Sequence, residues 1–221
     1  MGQFQQTVNL LMELKNMGGN TAQIGLYLFR AYNGLQQYDK ALTHLRLFEA
    51  DEAIQLEALM LAGDYFTQKI RDSRSDEAVA TLTQWNEYLT GFSKVKNTVE
   101  WTLQYAMTLE AKNEISSAIS LLEKSRETLD FQEFQLYYLA SLYESAKSYE
   151  KTDALIGEIL SKNPNFAHAW NFLGYIQLER PNGDLVIAKK SILRAIDLDP
   201  KSPHFIDSLG WFYYKSGMMD Q

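Results

Sequence analysis

Apolar residues along the chain recur every three or four positions, which is the spacing of one face of an α-helix. Small residues lie midway along five of these predicted helices, at intervals of 43, 34, 34 and 36 residues. At such positions only a small side chain lets a neighbouring helix approach closely. They are Gly63, Ala106, Ala140, Gly174 and Gly210. A period of this length indicates an array of short structural repeats.

Three further columns of residues keep the same period. An apolar column precedes the small residues and comprises Leu28, Ala62, Tyr105, Leu139, Leu173 and Leu209. A mostly aromatic column follows them and comprises Tyr32, Phe66, Leu109, Tyr143, Gln177 and Tyr213. A second column of mostly small residues comprises Ala41, Ala78, Ala118, Thr152 and Ala188. Pro164 and Pro200 follow the last two complete periods, where a helix should end.

These columns resemble the tetratricopeptide repeat, in which Trp, Leu-Gly, Tyr, Ala and a closing Pro recur over about 34 residues. The best match is AWNFLGYIQLERPNGDLVIAKKSILRAIDLDP, residues 169–200. The pattern residues in place there are Trp170, Leu173, Gly174, Ala188, Ala195 and Pro200. Gln177 stands where the family has Tyr, and RPNGD adds two residues to the turn between the helices.

The resemblance implies an all-α fold, a right-handed superhelical solenoid in which each repeat contributes two antiparallel helices, A and B. Neither helix buries its apolar face alone, so the repeats must stack. The second repeat is the least regular, because it needs extra residues around RDSRS and TGFSKVKN. We predict one array over residues 1–221: a leftover helix 3–17, repeats 22–55, 56–98, 99–132, 133–166 and 167–202, and a half repeat 203–221.

Both ends of the sequence cut through a predicted helical hairpin. The first helix carries Leu11 and Leu14 where a B helix keeps its core contacts, and the last A helix has no B helix after it. The expectation is therefore a piece of a longer repeat protein. Its last helix would expose an apolar face that favours a homodimer or a domain swap. The residues predicted for that face are Phe205, Ile206, Leu209, Phe212 and Met218.

Composition narrows the classes of partner. A formal net charge of −7 argues against nucleic acid as the main ligand, because that binding needs a basic face. The absence of cysteine excludes disulfides, thiolate zinc sites and cysteine nucleophiles from this sequence. No apolar run approaches the roughly 20 residues of a membrane-spanning helix, and the opening residues do not form a signal peptide.

In the family the A helices line a concave groove, so the resemblance implies that a partner is bound by side chains of those helices. Aromatic anchors bury large areas at little entropic cost and are typical of peptide-binding surfaces. The candidates of this type, with one asparagine, are Phe134, Tyr137, Asn171, Tyr175, Trp211 and Tyr214. The acidic candidates are Glu100 and Glu110, with Glu57 and Asp64 beside them and only Arg30 of opposite charge. The predicted partner segment is extended or helical, apolar at one end and basic at the other.

A structural interpretation stands beside each candidate. Any of these aromatic side chains could pack against a neighbouring helix, and the carboxylates could form an ordinary solvated face. Core positions are expected for Tyr138, Tyr143, Trp170 and Tyr213. His168 and His204 occupy equivalent places in adjacent A helices with Asp207 nearby, but we predict surface histidines and no metal. His44 has no identifiable partner.

Enzyme signatures such as a Gly-rich phosphate loop, His-Glu-x-x-His or Gly-x-Ser-x-Gly are missing from the sequence. We therefore predict no catalytic residue and no cofactor, and a protein-interaction scaffold or adaptor that binds a peptide or helix in the groove. Two alternatives remain open. The first is a homo-oligomerisation module that acts through open helical ends, and the second is a regulatory region of a larger enzyme.

The C-terminal stretch AIDLDPKSPHFIDSLGWFYYKSG resembles large bacterial tetratricopeptide adaptors, which are often lipoproteins of the cell envelope. That likeness favours the bacterial periplasm over the cytoplasm. Family members that hold acidic chaperone tails use a clamp of Lys, Asn and Arg. The predicted groove offers only Arg30, Asn33 and Asn171, which disfavours that function.

Overall fold

The computed structural model describes residues 2–19, 21–45, 52–72, 75–92 and 95–218. Every regular element within these ranges is an α-helix, so the predicted all-α class is confirmed. The twelve described helices are α1 Gly2–Asn16, α2 Thr21–Gly34, α3 Tyr38–Leu45, α4 Glu52–Asp72, α5 Ser75–Gly91, α6 Val99–Ala111, α7 Ile115–Ser125, α8 Glu133–Ser145, α9 Tyr149–Lys162, α10 Ala167–Glu179, α11 Leu185–Leu198 and α12 Pro203–Lys215.

Short connections join the helices into packed pairs: α2 with α3, α4 with α5, α6 with α7, α8 with α9, and α10 with α11. The chain divides into two compact units, Met1–Leu129 and Asp130–Gln221, which we call unit 1 and unit 2. Unit 1 holds α1 to α7 and unit 2 holds α8 to α12. The repeat boundaries and the single array over residues 1–221 stay predictions.

The core of unit 1 is rich in aromatic side chains. Phe66 of α4 stacks on Trp85 of α5, with their ring centroids 4.7 Å apart. The indole N–H of Trp101 donates a 3.2 Å hydrogen bond to the carbonyl oxygen of Leu89, which joins the start of α6 to the end of α5. Rings of this size bury large apolar areas and stabilise the packing of successive helices.

The core of unit 2 joins its last three helices. Leu178 of α10, Ala188 and Ile192 of α11, and Phe212 of α12 form one buried cluster. Asp184 caps α11, because its Oδ1 accepts hydrogen bonds from the backbone N–H groups of the second and third residues of that helix, at 2.7 and 3.0 Å. The capped N-terminus of α11 therefore stabilises the helix against which α12 packs.

The longer turn between α10 and α11 explains the two departures from the family pattern. The side-chain oxygen of Gln177 accepts a 2.9 Å hydrogen bond from the backbone N–H of Asp184. A Cβ atom at Gly183 would collide with the carbonyl oxygen of Gln177, so the close approach of this turn requires glycine. Through this hydrogen bond Gln177, which stands where the family has Tyr, holds the longer turn RPNGD against α10.

The predicted column of small residues lies at close helix contacts in α6, α8 and α10. Ala106, Ala140 and Gly174 are buried, and a Cβ atom at Gly174 would lie 2.8 Å from the carbonyl oxygen of Ala188. Backbone atoms of α11 therefore occupy the space that a side chain would need. Gly210 of α12 differs, since it is exposed with no atom near its Cβ position.

The face predicted to be exposed on the last helix is partly buried, which corrects two residues. Phe205 and Phe212 are buried, and the Phe205 ring contacts that of His168 at 5.4 Å between centroids. The two phenylalanines lie about two helical turns apart on one side of α12, and Phe212 packs in the cluster with α10 and α11. Ile206 and Met218 are exposed as expected.

Of the four aromatic residues expected in the core, Tyr143 is buried and the other three are half-buried. The indole N–H of Trp170 donates a 2.9 Å hydrogen bond to the carbonyl oxygen of Pro164, which fixes the turn before α10. Tyr213 packs against the cluster that joins α10, α11 and α12. None of the helices in the described ranges combines the length and the apolar character needed to cross a bilayer.

A matched pair of substitutions tests the close approach of α10 and α11. Gly174→Ala should lower the free energy of unfolding by about 2–3 kcal/mol, because the new methyl meets backbone atoms that cannot rotate away. Gly210→Ala should raise it by about 0.5–1 kcal/mol, because alanine favours the helix and meets open space. Urea denaturation measures both, and equal effects would contradict this packing.

His44 makes the stability of unit 1 depend on pH. Its ring stacks on Tyr32 with centroids 5.4 Å apart, and burial, followed by the charge of Lys15, lowers its pKa below the ordinary 6.5. The unfolded chain therefore binds this proton at a higher pH than the folded chain. The contribution of neutral His44 to the free energy of unfolding is intact above pH 6.5 and is lost as the pH falls through the folded-state pKa.

The corresponding experiment compares urea midpoints of the native chain and of His44→Gln at about pH 8 and about pH 5.5. The native chain should lose more stability between the two pH values, since glutamine does not titrate. Identical pH dependence in both proteins would show that His44 is not the group responsible.

Candidate partner-binding surface

Six of the predicted binding residues lie on three helices of unit 2. Phe134 and Tyr137 are on α8, Asn171 and Tyr175 on α10, and Trp211 and Tyr214 on α12. These helices hold the A positions of three successive predicted repeats. Tyr175 and Trp211, 36 residues apart, occupy corresponding places in α10 and α12, and these two helices pack against each other.

Four of these six side chains present aromatic surface to solvent. Phe134, Tyr175, Trp211 and Tyr214 have between 37% and 57% of their surface exposed. Isolated exposed aromatic residues are ordinary, but rings of this size on adjacent helices form an extended apolar area. Binding that covers such rings releases water from apolar surface without ordering long flexible side chains.

The orientation of Trp211 is fixed by groups that the sequence did not single out. Its indole N–H donates a 2.6 Å hydrogen bond to Oε1 of Glu179, at the end of α10. Tyr214 stacks on its other side, with ring centroids 5.1 Å apart and planes 20° from parallel. Lys215 lies 3.5 Å from the same Glu179 oxygen and 5.4 Å from the Trp211 ring. The ring is therefore positioned before any partner arrives.

Tyr137 lies in a different environment from the four exposed rings. It is half-buried and packs edge-on against Phe166 and Phe172, with centroids 6.1 and 5.3 Å apart. Burial raises the pKa of its phenol above 10. Most of the ring supports the packing of α8 on α10, so little of it is open to a partner.

Asn171 is half-buried, and its side-chain oxygen is shielded from solvent. Within the described part of the chain no group donates a hydrogen bond to that oxygen. A buried amide oxygen without a donor carries a cost of about 1–3 kcal/mol. A rearranged Asn171 side chain that accepts a hydrogen bond from a new donor would avoid this cost.

The acidic candidates lie in unit 1. Glu100 is half-buried in the first turn of α6, where the helix dipole favours a carboxylate, and Glu110 is half-buried in the last turn. Glu57 and Arg30, predicted as separate groove charges, form an ion pair with each other. The side chain of Asp64 lies outside the described residues.

Arg180 is the strongest ionic centre in unit 2, and the sequence analysis missed it. Its guanidinium donates to both carboxylate oxygens of Glu144, at 2.9 and 2.5 Å, and to Asp153 at 2.8 Å. It also lies over the Tyr149 ring, 4.6 Å from the centroid. Donation of hydrogen bonds to Glu144, the largest of several causes, raises the pKa of Arg180 above its usual value. We call these four residues the Arg180 network.

The Arg180 network gives Glu144 a structural role. Only 10% of the Arg180 side chain is exposed. A repeat-to-repeat comparison could have paired Glu179 with Lys215, because they occupy the same register 36 residues apart. Glu144 and Arg180 share no column, because they are 36 residues apart whereas the small residues of their two repeats, Ala140 and Gly174, are 34 apart. No column of the sequence therefore indicated their contact.

His168 and His204 are exposed, as the sequence predicted for surface histidines. His168 contacts the rings of Phe166 and Phe205, with centroids 5.8 and 5.4 Å away. No group of three or more potential ligands suited to a metal ion occurs among the residues that the structure describes.

Similarity to known proteins supports the fold. No protein-family profile matches the chain. Over 86 residues, 38% of the chain, it is 30% identical to "TPR repeat-containing protein PA4667" from Pseudomonas aeruginosa strain PAO1. The match spans 14% of the length of that curated relative.

Solved structures of helical-repeat proteins superpose on most of the chain. The Cut9 and Hcn1 hetero-tetramer of the APC/C gives a TM-score of 0.61 at 11% identity, covering 96% of this chain and 40% of that one. The C-terminal part of a TPR repeat-containing protein from Cytophaga hutchinsonii gives 0.52 at 16% identity, covering 94% and 95%. The human IFIT1 dimer with m7Gppp-AAAA gives 0.52 at 14% identity, covering 98% and 62%. At these identities the likeness concerns the fold alone.

The Arg180 network predicts a large loss of stability on truncation. Arg180→Ala should lower the free energy of unfolding by about 2–4 kcal/mol, because Glu144 stays largely shielded without its partner. Arg180→Lys should fall between, since an ammonium cannot bind both carboxylate oxygens in the same way. Thermal and urea denaturation provide the measurement.

The control is Lys162→Ala, which removes an exposed ion pair with Glu158 within α9. Its effect should stay below about 0.5 kcal/mol. A loss of similar size for Lys162→Ala and Arg180→Ala would contradict the special role of the network.

Proposed function

Because this chain has the tetratricopeptide-repeat fold, a fold of protein-interaction scaffolds, we propose that it is an adaptor that binds a segment of another protein on the A helices of unit 2. The observation that carries this proposal is the pair of aligned, exposed aromatic positions on α10 and α12. Tyr175 and Trp211 lie at equivalent places on two helices in contact, and Glu179 holds Trp211 in one orientation.

Fixed aromatic rings suit the capture of apolar side chains. A partner that covers them does not need to order the Trp211 side chain, since its hydrogen bond to Glu179 already does so. Residues of this type at the centre of an interface typically contribute about 2 kcal/mol or more each on truncation. The bound segment would place its apolar side chains against Tyr175, Trp211 and Tyr214.

Polar groups near the rings would fix the position of the bound segment along this surface. Glu179 and Lys215 flank Trp211, and Asn171 offers an amide about one helical turn before Tyr175 on α10. Phe134 would extend the apolar contact to α8, whereas Tyr137 would support it from beneath. In unit 1, Glu100 and Glu110 would separately favour a basic segment of a partner.

The proposal assigns the chain no reaction. Proteins with this fold generally act as non-catalytic scaffolds, and the binding surface described above is built from aromatic anchors and one exposed ion pair. The oligomerisation alternative rests on exposed Ile206 of α12 and on exposed Met218, which follows that helix. Analytical ultracentrifugation distinguishes it, because that alternative requires a concentration-dependent dimer.

The test is affinity capture from a lysate of the source organism with the native chain and with Tyr175→Ala, Trp211→Ala. The double variant should retain at least about tenfold less of the captured protein, since two aromatic anchors are removed. Glu179 keeps its ion pair with Lys215 in this variant, so the fold should persist. Circular dichroism and thermal melting verify equal folding first.

A matched control changes a surface elsewhere in unit 2. Val186→Glu, Ile187→Lys alters exposed residues at the start of α11 and should capture the same protein as the native chain. Equal capture by the native chain and the aromatic double variant would refute the proposed surface. Capture lost only in the α11 variant would place the interface on α11, a B helix, rather than on the A helices.

A further inference from the structure

The carboxylate of Glu179 has capacity for a further hydrogen bond on the proposed binding surface. Its Oε1 accepts the 2.6 Å hydrogen bond from the indole N–H of Trp211 and lies 3.5 Å from Nζ of Lys215. No described residue donates a hydrogen bond to its Oε2, and 40% of the side chain is exposed. Because an ionised carboxylate can accept about four hydrogen bonds, a donor from a partner can still bind to Glu179.

Lys215 already places a cation near this carboxylate but does not hydrogen-bond to it. Hydrogen bonds between an ammonium and a carboxylate are about 2.7–2.9 Å long. The 3.5 Å separation from Glu179 exceeds that length, and the same Nζ lies 5.4 Å from the centroid of the Trp211 ring. The ammonium of the chain itself therefore shows that a cation fits beside both groups, without the hydrogen bond that would keep it there.

Aromatic faces next to Glu179 also attract a cation. Trp211 and Tyr214 stack with their planes 20° from parallel, and Tyr175 precedes Glu179 by one turn of α10 with 42% of its surface exposed. The face of such a ring attracts an ammonium or guanidinium group within about 6 Å of its centroid, because the ring quadrupole is negative there. A carboxylate beside stacked rings thus favours a positively charged side chain over a purely aliphatic one.

Carboxylates outnumber basic groups on the three helices that form this surface. The ranges of α8, α10 and α12 contain four carboxylates and one ammonium. Glu144 is bound to Arg180, whereas Asp207 is exposed one turn before Trp211 on α12. The surface is therefore acidic and fits a basic partner better than an acidic one. The five charged residues are Glu133, Glu144, Glu179, Asp207 and Lys215.

The basic residues of the neighbouring α11 make other contacts. Nζ of Lys189 lies over the Tyr213 ring, 5.9 Å from its centroid, and Arg194 donates a 3.2 Å hydrogen bond to the side chain of Asn165. In the described structure none of the basic side chains of α11 forms an ion pair with Glu179. The charge of this carboxylate is therefore not neutralised from α11.

We propose that Glu179, Trp211 and Tyr214 bind an arginine side chain of the partner segment, which displaces Lys215. This assignment rests on the proposed function, because it names the chemistry of the segment that binds there. The guanidinium would lie against the exposed part of the rings and donate a hydrogen bond to Oε2 of Glu179. Lys215 would then turn toward solvent, where its ammonium is hydrated.

Arginine fits this site better than lysine. Its guanidinium is planar, stacks on aromatic faces, is more weakly hydrated than an ammonium and presents its N–H donors in fixed directions. It can therefore contact a ring and donate to a carboxylate at the same time, whereas a lysine of the partner would repeat the contact of Lys215. An acidic segment would bring its carboxylates toward Glu179 and Asp207, where like charges repel.

The test uses immobilised peptide pools of about twelve residues. Leucine, phenylalanine, serine and glycine are mixed at all positions except one central residue, which is arginine, lysine, glutamine or glutamate. The native chain should bind the arginine pool at least about threefold more than the glutamine pool, because a cation–π contact and an ion pair are added. The lysine pool should fall between them, although its charge equals that of the arginine pool.

Two charge-matched variants locate the effect. Glu179→Gln keeps an oxygen that can accept the hydrogen bond from Trp211 but removes the charge. Its ratio of arginine-pool to glutamine-pool binding should fall at least about twofold. Glu150→Gln removes the same charge from an exposed position in the first turn of α9 and should keep the native ratio. Circular dichroism and thermal melting verify that both variants are folded.

Lys215→Met tests the displacement. Methionine has an unbranched side chain that favours the helix, but it carries no charge. Binding of the arginine pool should rise at least about twofold, since no internal cation competes for Glu179. Lys162→Met makes the same charge change on α9 and should bind as the native chain does. A decrease in Lys215→Met would show that Lys215 assists binding and would contradict the displacement.

Failure of the arginine site can be told apart from failure of the proposed function. If the native chain binds the arginine and glutamine pools equally and Tyr175→Ala, Trp211→Ala binds neither, the aromatic surface stands and the arginine site is refuted. An arginine preference that persists in Glu179→Gln would assign it to the overall negative charge and would also refute the site. If the native chain and the aromatic double variant bind every pool alike, both proposals fail.

Discussion

The close approach of paired helices is the constraint on which unit 2 depends. At Gly174 the backbone of α11 comes so near to α10 that no side chain fits between them. That distance lets Ile192, Leu178 and Phe212 close one core among three helices. The same packing determines which positions of α10 and α12 remain outside. Tyr175 is exposed because Gly174 and its neighbours take the inner side of α10, and Trp211 is exposed because Phe205 and Phe212 take the inner side of α12.

Polar contacts then refine what apolar packing leaves adjustable. Dispersion contacts between aliphatic side chains are individually weak and not directional, whereas hydrogen bonds prefer defined angles. Glu179 joins the end of α10 to Trp211 of α12, and Arg180 joins the same end to α8 and α9. Two consecutive residues therefore connect α10 in two directions. The aromatic surface inherits its geometry from these bonds.

The fold could be predicted from the sequence because each repeat packs its two helices in the same way. The small residues Ala106, Ala140 and Gly174 could therefore be compared with one another. Exposure of single residues was harder to predict. Phe205 and Phe212 were expected outside, but the rotation of α12 about its own axis depends on contacts with α10 and α11 that no column records. The hydrogen-bond partners of Trp211 and Arg180 are likewise 27 to 36 residues away, and only tertiary geometry brings them together.

The Arg180 network also bears on how unit 2 unfolds. In arrays of repeats, stability is close to a sum over neighbouring pairs, and one end can open while the rest persists. Arg180 contacts helices from both predicted repeats, so separating α10 from α8 and α9 strips Glu144 and Asp153 of their shared counter-ion at once. Partly opened states of α8 to α10 are thereby disfavoured. One guanidinium group thus adds a shared ionic contact to the apolar packing that couples these three helices.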